Sequence, residues 1–515
     1  MGHGGNIMAA AASLLLVGCG TSGKPGPLPA SAAVPAETLR LPLAYHPDEQ
    51  ALLRQERPEW GLALSGGGLR SALFSIGVLK ALHERKALGG FDMISTVSGG
   101  GYAGYWLYGN ALAYPSSRAR FGEHSLSADH FPQRLCELIT RGNFVTYPRG
   151  IWAAITGKSV PLYENSLLRT FGRDEQKFGK ELTLGHFRAS MAAGTQPYWV
   201  LGATSDEGGY SNSVLAPKFW PSTLFEFSPV LLGHPFVGQR RWEGNFLARR
   251  AAAISGAAQG FLKQEIQNLV PDNGGPIVRL WDGGKSENLG AMALIRRGTR
   301  HIVVVDAEHD PDYRFGAYQK LRNNLKLYGA TLRIEDIDTL LKDNLTKLPL
   351  AASTYKGTIS FGGYAAHSDL SIVYLKMAIP APLVPMLTPE GEPFKAGARI
   401  EKDYAKALER SSAGGRWQCS KLDFRFADMS SWSAYQVQRY AEYLPTNWRA
   451  RLMDAIGYGG AKIHFPQYST FDQSYYTDQA KALIGLGYLQ AMEGLGLEQL
   501  PAGSSNEATS KLLNH

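Results

Sequence analysis

The chain has 515 residues with a formal net charge of +8, and 44% of its residues are hydrophobic and 19% charged. These values are ordinary for a globular protein, so they exclude extensive disorder and favour one large α/β domain with additions, or two domains. The modest positive charge fits a solvated basic surface or attraction to anionic lipid, and no dense Lys/Arg run with interleaved aromatic residues indicates a nucleic-acid partner.

The N-terminus has the pattern of an export signal followed by a tether. Its apolar run, residues 7–17, is too short to span a bilayer but suits the apolar segment of a signal peptide over residues 1–18. The run ends in Leu16-Val17-Gly18-Cys19, which resembles the lipobox of bacterial lipoproteins, although no Lys or Arg precedes it. By this resemblance Cys19 becomes the lipidated first residue, and the Pro-, Gly- and Ser-rich residues 19–38 form a tether.

The cysteines bear on the location of the protein and on its redox state. The lipobox resemblance implies a lipid-anchored protein of the bacterial cell envelope, with the outer membrane favoured because Gly20, and not Asp, follows the cysteine. If the lipobox match is coincidental, the expected location is the cytoplasm. Cys136 and Cys419 match no metal-ligand spacing, and the sequence leaves open whether they form a disulfide.

Residues 60–109 alternate between predicted strands, glycine-rich turns and predicted helices. Over residues 71–85, apolar side chains recur at helical spacing and predict one face that packs on a sheet: Leu73, Ile76, Leu79 and Leu82. This alternation favours an α/β fold with parallel strands.

The first glycine-rich turn, between this strand and helix, reads Gly66-Gly67-Gly68-Leu69-Arg70. Consecutive glycines let several backbone N–H groups converge on one point, as an oxyanion requires. The adjacent Arg70 could brace the loop or meet a phosphate. Nucleotide-binding loops are disfavoured, because no G-K-[ST] ending follows and Ser71 occupies the last glycine position of a dinucleotide fingerprint.

The second turn carries the candidate nucleophile, Ser98. It follows a predicted strand and precedes Gly99-Gly100-Gly101, the small residues that a sharp strand-to-helix turn needs, although Thr96 stands where a strict G-x-S-x-G pattern has glycine. The amide of Gly99 and the N-terminus of the following helix would stabilise a developing oxyanion.

The candidate base is Asp282, in Asp282-Gly283-Gly284 at the end of a short predicted strand over residues 277–281. A carboxylate is a weak base unless burial or its neighbours raise its pKa, which an apolar acyl-binding cleft would do. Asp306, at the end of the predicted strand 301–306, is the competing carboxylate. Histidine is the usual base, but these histidines lie in no recognisable motif: His83, His301 and His309.

The rest of the chain divides by pattern into several parts. We expect the catalytic domain over residues 39–310, with insertions over the site between about 115 and 268, a C-terminal extension packed on it over 311–500, and a polar tail over 501–515. Further elements are predicted as follows: a helix over 289–297, strands within 358–379, and helices over 432–443 and 478–492.

These three motifs, in this order, resemble those of the patatin-like phospholipases: Gly66-Gly67-Gly68-Leu69-Arg70, Thr96-Val97-Ser98-Gly99-Gly100 and Asp282-Gly283-Gly284. The resemblance implies a three-layer α/β/α core, similar to the cytosolic phospholipase A2 catalytic domain, with insertions and a C-terminal extension. It also implies a Ser98–Asp282 dyad without histidine, cofactor or metal. The run from Asp282 to Gly290, and Phe465-Pro466 with Phe471-Asp472-Gln473, look like features of large bacterial members.

The expected activity is hydrolysis of a phospholipid or another acyl-ester lipid at a membrane surface, through an acyl-enzyme on Ser98. Asp282 would accept the proton, while Gly66, Gly67, Gly68 and Gly99 would form the oxyanion hole. Two alternatives stay open: acyl transfer to another acceptor by the same dyad, and a non-catalytic lipid-binding lipoprotein of the envelope.

Overall fold

The computed structural model of the chain describes residues 46–53, 56–140, 158–172, 181–205, 224–235, 238–241, 246–258, 264–266, 278–343, 350–362, 369–413, 416–441, 465–468, 470, 475, 477–496 and 499–501. Several predicted features therefore lie outside the described residues: the signal peptide, Cys19, the tether, nearly all of the polar tail, and Phe471-Asp472-Gln473.

The described helices and strands alternate along most of the chain. The helices are α1 (Pro47–Leu53), α2 (Gly68–Glu84), α3 (Gly99–Ala113), α4 (Glu123–Leu126), α5 (Phe131–Thr140), α6 (Ser159–Phe171), α7 (Arg188–Ala192), α8 (Ala248–Ser255), α9 (Ala291–Ile295), α10 (Gly316–Leu327), α11 (Glu335–Asp343), α12 (Glu392–Arg410), α13 (Met429–Ala441) and α14 (Thr477–Gly494). The strands are β1 (Trp60–Leu64), β2 (Met93–Val97), β3 (Tyr198–Ser205), β4 (Leu224–Phe227), β5 (Leu231–His234), β6 (Gly238–Arg241), β7 (Gln264–Ile266), β8 (Val278–Asp282), β9 (His301–Asp306), β10 (Thr331–Arg333), β11 (Thr354–Ser360), β12 (Leu370–Lys376), β13 (Ser412–Ala413) and β14 (Arg416–Trp417). In the part of the chain that the structure describes, no helix is both long and apolar enough to cross a membrane.

Twelve of the described strands form one mixed sheet in the order β10-β11-β12-β9-β1-β2-β3-β4-β5-β6, with β8 paired to β3 and β7. Its centre, β12-β9-β1-β2-β3, is parallel, and the strands on either side are antiparallel. The predicted fold class, an α/β core with a central sheet flanked by helices, is confirmed. Strands β10 to β12 follow residue 310, so the sheet crosses the boundary predicted there.

The register of the strands brings the three sequence motifs to one edge of the sheet. Parallel strands end at the same edge, so the turns after β1, β2 and β9 are neighbours. Strand β8 arrives from the opposite direction, and its last residue, Asp282, lies opposite Ala203 of β3. Because Gly202 of β3 lies opposite Val97 of β2, Asp282 is level with the turn that follows Val97.

Helix α2 is buried on all sides, and not only on the face that the apolar spacing predicts. Every residue from Gly68 to Leu82 is buried, including Lys80, whose ammonium group pairs with Glu84. Helix α14 packs closely on α2, and the two helices meet at glycines: a Cβ on Gly77 or on Gly487 would overlap the main chain of the other helix. The apolar stripe predicted one face that packs on a sheet, and the additional burial could not be predicted because a single stripe does not reveal a second covering helix.

A disulfide between Cys136 and Cys419 joins α5 to the 3₁₀ turn Cys419–Lys421, across 283 residues of sequence. The sequence left this pairing open. Such a cross-link restricts the unfolded chain and thereby favours the folded state. It also ties the predicted C-terminal extension covalently to helix α5, which lies between β2 and β3 in the chain.

Candidate active site

Ser98 occupies a strained turn between β2 and α3. Its backbone angles, φ 50° and ψ −118°, lie outside the ordinary regions for a residue with a side chain, and such strain is typical of functional sites. The turn is compact because glycines allow close approach: a Cβ on Gly99 would overlap the Gly68 main chain, and one on Gly100 would overlap the Leu64 carbonyl oxygen. The glycine run after Ser98 is therefore a steric requirement of the turn.

The backbone of Ser98 is fixed by a residue of helix α8. The Ser98 N–H donates to Oγ of Ser255 at 2.7 Å, and that hydroxyl donates to the carbonyl oxygen of Gly202 at 2.6 Å. Ser255 thus links the turn that carries Ser98 to strand β3. Sequence reasoning missed Ser255, because no motif surrounds it and its contact with Ser98 spans 157 residues.

The structure places Ser98 and Asp282 in direct contact. The Ser98 hydroxyl donates to Oδ2 of Asp282 at 3.0 Å, although the residues are 184 positions apart. The other carboxylate oxygen, Oδ1, accepts the N–H of Gly284 at 2.7 Å, and the hydroxyl of Thr204 donates to the Asp282 carbonyl oxygen at 2.7 Å. The carboxylate is therefore oriented from both sides, with one oxygen held toward the serine.

The environment of Asp282 makes its carboxylate a stronger base than an exposed one. Burial raises the pKa of Asp282 to about 6, against the hydrogen bonds from Gly284 and Ser98 and the positive charges of Lys285 and Lys320, which lower it. A base works best when its pKa lies close to the operating pH. Asp282 can therefore accept a proton from Ser98 near neutral pH and still be ionised beforehand.

The competing carboxylate, Asp306, is engaged elsewhere. It accepts hydrogen bonds from the Tyr374 hydroxyl, from the ammonium group of Lys376 at 2.8 Å and from the N–H of Glu308 at 2.9 Å. These contacts tie Asp306 to strand β12, which favours Asp282 as the base. Within the described ranges, no group of His, Cys, Asp and Glu side chains could hold a metal ion.

The glycine-rich turn of residues 66–68, which we call the oxyanion loop after its predicted role, is held at its first glycine. The N–H of Gly66 donates to the carbonyl oxygen of Asn288 at 2.8 Å, so we correct the prediction that this amide belongs to the oxyanion hole. Gly68 and Gly99 are the first residues of α2 and α3, and such amides have no acceptor within their own helix. Gly67, with a φ of 143°, adopts a conformation that favours glycine.

Arg70 braces this loop. Its side chain has no exposed surface, and its Nη2 and Nε donate to the carbonyl oxygen of Ala307 at 3.0 and 3.3 Å. Nη1 donates to the carbonyl oxygen of Tyr468, and Nη2 also donates to the Thr470 hydroxyl at 3.3 Å. Of the two roles considered for Arg70, the contacts favour the brace over the phosphate ligand.

Other residues that hold the site gave no sequence signal of their own. The hydroxyl of Thr204 accepts the N–H of Ser286 at 3.0 Å, and the ammonium group of Lys320 donates to the carbonyl oxygen of Lys285 at 2.6 Å. Both contacts fix the loop after Asp282. Ser286 lies in the run from Asp282 to Gly290, which resembles a feature of large bacterial family members, but Thr204 and Lys320 lie in segments without a motif.

The chain has recognisable similarity to known proteins. The family model of the patatin-like phospholipases matches residues 62–295, whereas no curated protein matches the sequence. Among solved structures, human GIVD cytosolic phospholipase A2 is similar with 13% sequence identity and a TM-score of 0.49, over 86% of this chain and 60% of that one. The structure of the same enzyme in complex with methyl gamma-linolenyl fluorophosphonate has 13% sequence identity and a TM-score of 0.47, over 88% of this chain and 64% of that one.

A bacterial structure, VipD from Legionella pneumophila, has 12% identity and a TM-score of 0.24, over 88% of this chain and 93% of that one. This chain spans about 60% of the length of the human enzyme. The stretch matched by the family model contains Ser98, Asp282 and the oxyanion loop. Residues 62–295 of this chain are a patatin-like phospholipase domain.

Proposed function

We propose that the protein is a serine lipid acyl hydrolase, a phospholipase A or esterase, that uses a Ser98–Asp282 dyad. The observation that carries this proposal is the 3.0 Å hydrogen bond from a serine hydroxyl on a strained turn to a buried carboxylate. A serine hydroxyl becomes a useful nucleophile when such a base takes its proton.

In the first half of the reaction, Oγ of Ser98 bonds to the ester carbonyl carbon while its proton passes to Oδ2 of Asp282. The carbonyl oxygen becomes an oxyanion, for which the amides of Gly67, Gly68 and Gly99 are the proposed donors. Helices α2 and α3 both begin at this point, and the positive ends of their dipoles stabilise negative charge there. Collapse of the intermediate breaks the ester bond, and Asp282 returns the proton to the departing alcohol.

In the second half, water attacks the acyl group on Ser98. Asp282 accepts a proton from that water, and the new oxyanion occupies the same donors. Breaking the bond between Oγ and the acyl carbon releases the fatty acid, and the proton on Asp282 returns to Oγ. One carboxylate therefore serves as base and acid in turn, and the atoms balance without a further reactant.

The test is fatty-acid release from mixed phospholipid vesicles by the full chain and by its Ser98→Ala variant. Release that disappears with Ser98→Ala supports the proposal, and labelling of Ser98 by a fluorophosphonate gives an independent measure. Appearance of a new ester when alcohols or lysolipids are added would indicate a transferase. Absence of both release and labelling in the native protein would favour a lipid-binding role and contradict the proposal.

We also propose that the protein is anchored in the bacterial cell envelope through a lipid on Cys19. The Cys136–Cys419 disulfide supports this location, because disulfides persist in oxidising compartments outside the cytosol. We expect Cys19→Ala to move the protein from the membrane fraction to the soluble fraction without loss of activity on a soluble ester. An unchanged membrane fraction would contradict the proposed anchor.

The pH dependence of the reaction follows from Asp282. Because burial raises its pKa to about 6, the carboxylate is ionised above this pH and protonated below it. We expect kcat/KM for a neutral ester to fall about tenfold per pH unit below that point, since only the ionised form accepts a proton. A pH profile of kcat/KM measured with an uncharged substrate checks this prediction. An acid limb centred near the ordinary aspartate pKa would contradict it.

Lys320 is expected to shift this profile. Its positive charge lowers the pKa of Asp282, so Lys320→Ala should move the acid limb to higher pH, by a few tenths of a unit because the side chain is solvent-exposed. The matched control is Lys326→Ala on the same helix, where the side chain is also exposed. Equal shifts in both variants would indicate a general charge effect.

A further inference from the structure

A short segment near the end of the described chain contacts the segments that follow three strands, β12, β9 and β1, at the edge that carries the candidate site. We call residues 465–468 and Thr470 the C-terminal clasp. Its Gln467 donates through Nε2 to the carbonyl oxygen of Met377 at 3.1 Å and accepts through Oε1 the N–H of Asp310 at 2.8 Å. Met377 follows β12, and Asp310 follows β9. The clasp therefore bridges the ends of these two strands.

The third contact of the clasp is with Arg70, which follows the oxyanion loop after β1. The guanidinium group donates to the Tyr468 carbonyl oxygen and to the Thr470 hydroxyl, across about 400 residues of sequence. Every nitrogen of this side chain has a protein acceptor, and none of its surface is exposed. A lipid phosphate has no access to a group in this position.

Arg70 connects the clasp to the loop through one main-chain unit, Ala307. The Ala307 carbonyl oxygen accepts from Arg70, and the Ala307 N–H donates to Oγ of Ser65 at 2.8 Å. Gly67 also lies against this carbonyl oxygen, since a Cβ on Gly67 would overlap it. The position of the guanidinium group therefore determines where the proposed oxyanion donor Gly67 lies relative to the end of β9.

We propose that the C-terminal clasp positions the oxyanion loop for catalysis through Arg70, and that Arg70 is a positioning residue and not a ligand for the substrate's phosphate. This inference rests on the proposed function. Displacing a catalytic donor by about 1 Å can lower a rate by about two orders of magnitude, so loss of the clasp is a kinetic defect and not only a loss of stability.

The experiment compares Arg70→Met, Arg70→Lys and Gln467→Ala in the full chain, with a neutral p-nitrophenyl ester and with phosphatidylcholine. Arg70→Met should lower kcat about 100-fold on both substrates, with KM on the neutral ester changed by less than about twofold. Arg70→Lys should recover part of this loss, because one ammonium group can still reach the Ala307 carbonyl. Gln467→Ala should lower kcat about tenfold, since it loosens the clasp but leaves Arg70 in place.

The matched control is Gln436→Ala. Gln436 is also a buried glutamine with a side-chain hydrogen bond, to Glu401 at 2.6 Å, but it lies on α13 outside the clasp. Gln436→Ala should leave kcat within about twofold of the native value while costing similar stability. Hydrogen exchange of the peptide that covers the oxyanion loop should rise in Gln467→Ala and stay unchanged in Gln436→Ala.

Several outcomes would overturn the proposal. One is a rise in KM for phosphatidylcholine alone, with neutral-ester kcat unchanged, because that result would make Arg70 a phosphate ligand. Another is a Gln467→Ala variant with the native kcat and with native hydrogen exchange in the oxyanion-loop peptide. This second result tests the proposal even if Arg70→Met does not fold. If the native protein hydrolyses no ester, the proposed function fails, whereas hydrogen exchange still tests the hold of the clasp on the loop.

Discussion

Asp282→Asn is expected to lower kcat by roughly 10³- to 10⁴-fold, close to the loss in Ser98→Ala, because an amide cannot accept the serine proton. The two side chains share one hydrogen bond, and in the proposed mechanism they act as a unit. The double variant should therefore be little worse than either single variant. Steady-state kinetics on a soluble ester, with circular dichroism as a check on folding, measures both effects.

The control for this prediction is Asp306→Asn. It removes the carboxylate that competes for the role of base, but the contacts of Asp306 are with Tyr374 and Lys376. We expect this variant to be less stable and yet to keep most of its kcat while folded. If Asp282→Asn kept most of the native rate and Asp306→Asn did not, the assignment of the base would be wrong.

Lys376→Met is expected to cost about 3–5 kcal/mol of stability, because it leaves several buried carboxylates without their cation. The ammonium group of Lys376 is fully buried and lies 2.8 Å from Asp306, 3.1 Å from Glu308 and 2.9 Å from Asp310. Equilibrium unfolding in urea, monitored by circular dichroism, gives the difference in free energy from the native protein.

The loss in Lys376→Met should depend on pH with a definite sign. Burial and the neighbouring Asp306 and Asp310 raise the pKa of Glu308 to about 7, although Lys376 and the N–H of Ala317 lower it. Removal of Lys376 takes away the larger of these two opposing influences and raises the pKa of Glu308 further. The folded variant then binds protons more tightly than the unfolded chain, so its stability falls as pH rises. The defect should be larger at about pH 8 than at about pH 5.

The control is Lys406→Met, which removes an exposed lysine whose ammonium group is 4.0 Å from Asp403. Such a surface pair contributes little, so the change in unfolding free energy should stay within about 0.5 kcal/mol. A similar loss in Lys376→Met and Lys406→Met would show that the buried cluster does not stabilise the sheet.

Local patterns predicted the central strands and the turns that follow them, because short apolar runs and glycine-rich turns are signals within a few residues of sequence. The strand that ends in Asp282 was predicted at its place in the chain, but its direction was not. Its antiparallel pairing with β3 spans some 80 residues, and that pairing brings Asp282 level with Ser98. No local pattern carries information of this kind.

The supporting residues could not be predicted for a related reason. Ser255 has no motif, and only the fold places its hydroxyl beneath the Ser98 amide. Lys376 looks like the last residue of an ordinary strand, and its burial among carboxylates depends on the loop after β9. For Arg70 the sequence offered two roles, and the burial of its guanidinium group distinguishes between them.

The packing of α14 on α2 has a consequence for the order in which the protein matures. Helix α2 is made early and α14 hundreds of residues later, so the apolar surface of α2 lacks its partner while the chain is being synthesised. An incomplete chain would also expose the surface that α14 covers, which favours aggregation or binding by chaperones. We therefore expect the chain to reach its folded state only after these last elements have been translated.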